Sequence, residues 1–355
     1  MRPTLKRREL LVYSVYSVGG LLVACGGVAA PSPAAPGASA PTPPTSAPAS
    51  LKVRLGSVSV SAANAAIWSA EDGGFLKKYG LDAQVSNVAD STQAVAALLA
   101  GEIPLNCGIS GTAVVASVLQ GSDLVIIAST VNTFPSSLYA KSSVTSIAGL
   151  RGGKVGVSRF GTASDTAARI ALKQGGLDPA KDVTLLQLGG LNEILAAMQS
   201  GQVDAGALSP PQTVLARNAG FRELIDVGAL GIPYVYNGVA TSRSYATKNA
   251  EIVDATLKAL IEGEHRFKTD AEWGKSIVAA RTKLTDPSQV EETWRLFAMK
   301  YLQEPPFPTD AALKTVLDEL APTQPKAQSA SPGTFYDDSY LRKLDASGFI
   351  KSITR

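Results

Sequence analysis

Between residues 51 and 218 the chain repeats one written unit: a short apolar run, a turn of small residues, then a stretch with helical spacing. Leu51–Val58 alternates apolar and polar positions, the period of a half-buried strand. Ala62–Tyr79 has helical spacing interrupted at Gly73-Gly74, and Leu81–Val88 predicts a second strand. Ser91–Ala100 predicts a helix stopped by Gly101, Ile103–Ile109 a strand, Thr112–Gln120 a helix, and Leu124–Ala128 (LVIIA) a buried strand. The series then restarts. Strands are predicted at Lys154–Ser158, Val183–Leu188 and Val203–Leu208. Helices follow at Ala163–Gln174, Glu193–Ser200 and Gln212–Asn218. Strands alternating with helices imply α/β architecture with parallel sheets covered on both faces. From Asn249 onward the chain is helical and charged, broken at Pro287, Pro305, Pro306, Pro308 and Pro322.

The two series share a spacing near 100 residues. Gly56 matches Gly156 and Gly101 matches Gly201; after one skipped residue, Ser110 matches Ser209 and Gly121 matches Gly220. Identities are few, but the order of strand, loop, helix and glycine stop is common to both. Two similar lobes written in succession are expected.

In open parallel sheets, ligands sit beyond the carboxyl ends of strands, where loops enter helix N-termini. Those N-termini carry free N–H groups and a partial positive charge. Four loops fit: Ser59–Asn64 and Ser110–Thr112 in the first lobe, Arg159–Ser164 and Ser209–Pro211 in the second. They supply the candidate ligand-binding residues Ser61, Asn64, Ser110, Gly111, Thr112, Arg159, Phe160, Gly161, Thr162, Ser164, Ser209 and Pro210. Asn132, beyond the strand ending at Ala128, is added. Thr162-Ala163-Ser164-Asp165 has the form of a capping box, in which the Thr oxygen and the acid satisfy the first free N–H groups. Capping and anion binding are both open to this turn. Arg159 is placed either to clamp an acidic ligand or as a solvated strand-end charge. Phe160, Phe134, Tyr234 and Tyr236 supply an aromatic wall or pack as core.

The N-terminus adds a destination. Lys6, Arg7 and Arg8 precede the uncharged run Leu10–Ala24, a signal peptide's charged region followed by its apolar region. The run ends in Leu22-Val23-Ala24-Cys25, which resembles a bacterial lipoprotein box and makes Cys25 the expected lipidated residue. Residues 25–50 are almost only Ala, Pro, Ser, Thr and Gly, a composition with nothing to bury, and read as a disordered tether. Arg2, Lys6, Arg7 and Arg8 against Glu9 account for the whole formal charge of +3, so the chain from residue 25 onward is near neutral. That balance gives no footprint for nucleic acid. Besides Cys25 the only cysteine is Cys107, in an apolar run, expected as a buried thiol without a disulfide. The single histidine, His265, is expected at the surface of a charged helix. A Ser–His–acid hydrolase would have to use it, and no G-x-S-x-G elbow accompanies it. No catalytic residue, metal site or cofactor is assigned.

Several segments, in order, resemble one family. They are AEDGGFLKKYGLDAQV, ALLAGEIPLNCGISGTAV, SIAGLRGGKVGV followed by GTASD, AAMQSGQVDAGALSPP, and FYDDSYLRKLDASGF. Together they resemble the nitrate/sulfonate/taurine-type solute-binding proteins of ABC importers over most of 51–350. The resemblance implies a two-lobe type II periplasmic-binding-protein fold with C-terminal helices and crossovers near 135–145 and 232–241. Lobe 1 is then 51–138 plus 238–355, and lobe 2 is 139–237. It implies a monomeric, non-enzymatic binder that captures a small solute by hinge closure and hands it to a membrane permease. The expected location is outside the cytoplasm, lipid-anchored to the membrane. Many relatives carry Trp-Glu-Pro where this chain has Leu208-Ser209-Pro210-Pro211, which argues against a ligand amine held there by a carboxylate. A sensor of the same fold remains an alternative, as does an enzyme like those that build the thiamine pyrimidine from an active-site histidine.

Overall fold

The computed structural model describes residues 50–355. The expected signal peptide, Cys25 and all of the tether except Ser50 lie outside the described residues. The first series forms β1 (Leu51–Val58), α1 (Ala65–Asp72), α2 (Phe75–Lys78), β2 (Leu81–Val88), α3 (Ser91–Leu99), β3 (Leu105–Ile109), α4 (Gly111–Leu119) and β4 (Leu124–Thr133). The second forms β5 (Ser137–Ala140), β6 (Lys154–Val157), α5 (Ala163–Gln174), β7 (Thr184–Gln187), α6 (Leu191–Gln199), β8 (Ala205–Leu208), α7 (Gln212–Asn218) and β9 (Arg222–Asp226). The chain continues through β10 (Pro233–Ser242), α8 (Arg243–Lys248), α9 (Ala250–Thr269), α10 (Ala271–Thr282) and α11 (Pro287–Leu296). It ends in α12 (Asp310–Leu320), α13 (Ser339–Ala346) and α14 (Phe349–Ile353).

The two sheets have one topology. Their orders are β2-β1-β3-β10-β4 and β7-β6-β8-β5-β9. β10 is antiparallel to β3 and β4, and β5 is antiparallel to β8 and β9. The expected parallel sheets are therefore mixed. Each antiparallel strand arrives directly from the other sheet, β5 after β4 and β10 after β9. The strand pairing puts the two passages at 134–136 and 227–232. The expected lobe boundaries at 138/139 and 237/238 fall inside β5 and β10. The 100-residue register is visible in the backbone. Gly101 after α3 and Gly201 after α6 both turn left-handed, with φ of +69° and +75°, a conformation that favours glycine at a helix end.

One apolar cluster covers a face of the first sheet with α1 and α9, through Leu55, Leu105, Ile127, Leu257 and Leu260. Cys107 lies in it, and burial pushes its thiol up to about 12. A second cluster runs from Ile109 and Ile126 through Phe134 and Tyr234 to Leu138 and Val157, spanning both sheets. The C-terminal segment returns to β4: the Ile126 N–H donates to Phe335 O at 3.0 Å and the Asp337 N–H to Ile126 O at 2.8 Å.

Candidate functional site

The carboxyl ends of strands from the two sheets face each other across a cleft, and the lobes touch there. Ser61 Oγ lies 3.3 Å from Ser209 Oγ and 3.3 Å from the Pro210 carbonyl oxygen. Gln212 Nε2 donates to Val60 O at 3.3 Å, and Arg159 Nε donates to Asp90 Oδ2 at 2.5 Å. Between these contacts lies a cavity of about 50 Å³. At ~10–15 Å³ of such volume per water, it has room for a few waters or a polar group of that size. Its wall includes Ser59, Ser61, Asn64, Asp90, Ser91 and Ser110 from one lobe, with Tyr236 and Asn237 of β10. The other lobe adds Ser158, Thr162, Ala163, Ser164 and Leu191.

The hydroxyls form linked sets. In the second lobe Ser158 Oγ is 2.8 Å from Thr162 Oγ1 and 2.7 Å from Ser164 Oγ, which also accepts the Ser158 N–H at 2.9 Å. In the first lobe the Tyr234 hydroxyl lies 2.8 Å from both Ser110 Oγ and Thr112 Oγ1. Asn237 Nδ2 donates to Ala63 O at 2.8 Å and fixes the start of the α1 region. Asn64 Nδ2 donates to Val58 O and Ser59 O, while its buried Oδ1 has no partner among the described residues.

The expected capping box is not made. Thr162 sits at the N-cap of α5 without a side-chain cap; its hydroxyl donates instead to Arg159 O at 2.7 Å. Asp165 Oδ2 accepts from Gly161 N, one residue before the N-cap, at 2.9 Å. The reason is local competition: the Ser158–Ser164 hydroxyl set and the Arg159 carbonyl occupy the Thr162 oxygen. The Ala163 and Ser164 N–H groups therefore stand in the first turn of α5 at the cavity wall without a cap. Burial pushes the Asp165 carboxyl up, opposed by the Gly161 N–H and by Arg169.

Of the expected residues, Ser61, Asn64, Ser110, Thr162 and Ser164 line this cavity. Ser209 and Pro210 lie against Ser61 from the opposite lobe, behind the wall. Gly111 is a packing residue: a Cβ there would come 2.7 Å from Val235 Cβ, so glycine lets α4 close on β10. Thr112, Phe160 and Gly161 line a separate groove of about 330 Å³ between α5 and α12. Phe160 is half exposed there, with the Arg169 guanidinium 5.7 Å from its ring centroid. Arg159 lies outside the cavity wall: Asp90 takes its Nε, and its side chain stays 43% exposed. Asn132 donates to Gln303 Oε1 and Phe307 O, both at 2.7 Å, and anchors the segment before α12. Phe134 and Tyr234 are stacked core, with ring centroids 4.0 Å apart, and Tyr236 alone of the expected aromatics lines the cavity. His265 is half-buried rather than at the surface, its Nδ1 2.7 Å from Glu304 Oε1, because the turn before α12 folds over α9.

Sequence reasoning overlooked Asp90, Ser91, Ser158 and Asn237. Asp90-Ser91 joins β2 to α3, a fifth loop at the same edge, and the rule that selected the other four applies to it equally. Among the described residues, no cluster of three or more His, Cys, Asp or Glu is arranged to hold a metal. No helix among them is long and apolar enough to cross a membrane.

The riboflavin-binding protein RibY of Chloroflexus aurantiacus is 30% identical over 157 residues, which is 43% of this chain and 44% of RibY. The chain thus spans less than half of RibY's length in that match. The alkanesulfonate-binding protein SsuA of Xanthomonas axonopodis pv. citri, bound to MOPS, superposes with TM-score 0.67 at 22% identity, covering 79% of this chain and 95% of SsuA. The desulfurization enzyme DszB superposes with TM-score 0.62 at 16% identity, covering 83% of this chain and 99% of DszB. At these identities the solved structures establish the fold, a two-lobe type II periplasmic-binding-protein fold, and that fold serves both binding and catalysis. The sequence profile described as NMT1/THI5 like matches residues 62–269, more than half of the chain, and the chain belongs to the NMT1/THI5-like family.

Proposed function

We propose that this chain is the extracytoplasmic solute-binding lipoprotein of an ABC importer. It captures a small organic anion or polar solute, of the sulfonate, carboxylate, nitrate-like or pyrimidine type, by closing two lobes around it. The observation that carries the reading is the hydroxyl-walled cavity, contributed by both lobes, with the uncapped start of α5 on its rim. Hydroxyls and first-turn N–H groups are hydrogen-bond donors suited to acceptor oxygens. Ligand held by both lobes favours the closed form by its differential affinity for that form. The basic–apolar–Cys25 pattern and the Pro/Ala/Ser-rich segment support tethering beside a membrane permease.

The binding reading is tested by calorimetry with a panel of alkyl and aryl sulfonates, carboxylates, nitrate and pyrimidines. Thr162→Ala and Ser110→Ala each remove a wall hydroxyl. Each is expected to weaken the best ligand at least about tenfold, since one hydrogen bond to a charged group is worth ~1.5–3 kcal/mol. Unchanged affinity in both variants, or turnover of the bound solute, overturns the reading. For the anchor, mass spectrometry of membrane-extracted protein is expected to find a mature N-terminus at a lipid-modified Cys25; an unmodified N-terminus counts against it.

A further inference from the structure

The charges around the cavity are unevenly placed. Its polar wall is neutral hydroxyl and amide, with one exception: Asp90, whose carboxylate is buried, with 1% of the side chain exposed. Asp90 Oδ1 accepts the Thr92 and Gln93 N–H groups at 2.8 and 3.0 Å, capping α3, and Oδ2 accepts Arg159 Nε at 2.5 Å. A carboxylate has about four lone-pair sites, so three N–H donors leave one free for a donor on the ligand. Arg159 is outside the cavity wall and 43% exposed, so its charge is spent against Asp90 and screened by water. The N-terminus of α3 is likewise neutralised by Asp90. What remains for an anion is the hydroxyls and the uncapped starts of α4, α5 and α6, which reach the wall at Ser110, Ala163 and Leu191 and are each worth up to roughly half an elementary charge.

We infer that Asp90 sets the charge of the ligand: the cavity takes a neutral or singly charged solute and turns away dianions. This rests on the solute-binding reading above and narrows it. A dianion would be desolvated in a small space whose one ionised wall group already holds the nearby cation, Arg159, and where no free cation answers it. A monoanion is matched by the helix starts and the hydroxyls, and an N–H or O–H on the solute meets the spare Asp90 lone pair.

The test is calorimetry on the full chain at neutral pH, with methanesulfonate, benzenesulfonate, benzoate and nitrate as monoanions and sulfate as the dianion. Wild type is expected to bind at least one monoanion at least about tenfold more tightly than sulfate. Asp90→Asn keeps a competent N-cap and releases the Arg159 charge; the monoanion-to-sulfate ratio should fall to within about threefold. Arg159→Gln leaves Asp90 unbalanced, and every anion should weaken by about tenfold or more. This second variant keeps the test open if Asp90→Asn proves poorly folded by its melting curve. Equal binding of sulfate and monoanions by wild type, or an unchanged ratio in Asp90→Asn with no anion loss in Arg159→Gln, overturns the inference and leaves the solute-binding reading standing. If none of these anions binds, the charge inference falls; if the pyrimidines of the earlier panel fail as well, the solute-binding reading falls with it.

Discussion

Glu264 is a buried carboxyl on α9, and its Oε1 has no hydrogen-bond partner among the described residues. Burial raises its titration well above the usual 4.5; Lys268 opposes the shift and Glu304 adds to it. In the native state the group holds its proton at pH values where the unfolded chain has lost it. Stability therefore falls as pH rises above 4.5, and levels off once the native group also ionises. Glu264→Gln removes this slope. It is expected to match wild type near pH 4.5 and to be more stable than wild type at neutral pH, because the amide has the shape of the protonated acid and no proton to lose. Urea titrations at the two pH values measure the difference; parallel pH dependence in the two proteins contradicts it. Nothing in IEGEHRFK announces a buried acid, since burial of Glu264 depends on what packs over α9. The cavity residues were more legible. Ser61, Asn64, Ser110, Thr162 and Ser164 follow from loop position, which the chain writes locally. Arg159, Phe160 and Asn132 lie outside the cavity wall, with no local sign of it in the sequence, because their partners are 69 residues away at Asp90, in the α5–α12 groove, and 171 residues away at Gln303.

At the scale of elements, α4 tests packing against binding. Gly111 opens this helix, and an added Cβ would meet Val235 Cβ at 2.7 Å and Val235 O at 3.1 Å, closer than carbon atoms pack. Gly111→Ala is expected to cost about 1–3 kcal/mol through displacement of α4 from β10, the usual penalty for overpacking. Chemical denaturation reads that loss directly. A neutral effect on stability with a large loss of ligand affinity would instead return Gly111 to the binding surface. The regular elements were largely readable: α5 and α7 have the predicted bounds, because their apolar spacing and flanking glycine, proline and asparagine are local signals. β5, β9 and β10 were not predicted as strands. β5 has four residues, and β9 (RELID) carries polar residues at a half-exposed position outside the strand–turn–helix unit. β10 reads as connection because it pairs with β3 and β4, more than 100 residues earlier in sequence. These long-range pairings turn two parallel sheets into two mixed ones, and no window of sequence contains both partners.

For the whole molecule, the question is what holds the lobes together without ligand. Besides the Ser61–Ser209, Gln212–Val60 and Asp90–Arg159 contacts, three exposed ion pairs bridge them, one of them Lys300 to Asp226 of β9 at 3.7 Å. Arg217 of α7 meets Glu292 of α11 through two bonds, at 2.9 and 2.5 Å, and Lys173 of α5 meets Glu319 of α12 at 3.2 Å. Arg217 and Lys173 are each about half exposed, at 51%, so water and salt screen both pairs. Such a pair is worth ~0.2–1 kcal/mol, so Arg217→Gln should lower the closed-to-open ratio by about 1.4- to 5-fold. Affinity falls by that full factor only where the open form dominates without ligand; where the closed form already dominates, the loss is smaller. Small-angle scattering of the ligand-free protein separates these cases by its radius of gyration, and calorimetry at low and high salt gives the matching affinities. Salt should act in the same direction as the mutation in wild type, and more weakly in Arg217→Gln, where the remaining pairs still respond. If neither salt nor the substitution changes dimensions or affinity, the ion pairs are incidental to closure. The Ser61–Ser209, Gln212–Val60 and Asp90–Arg159 contacts are then what holds the lobes, at the edge of the cavity itself.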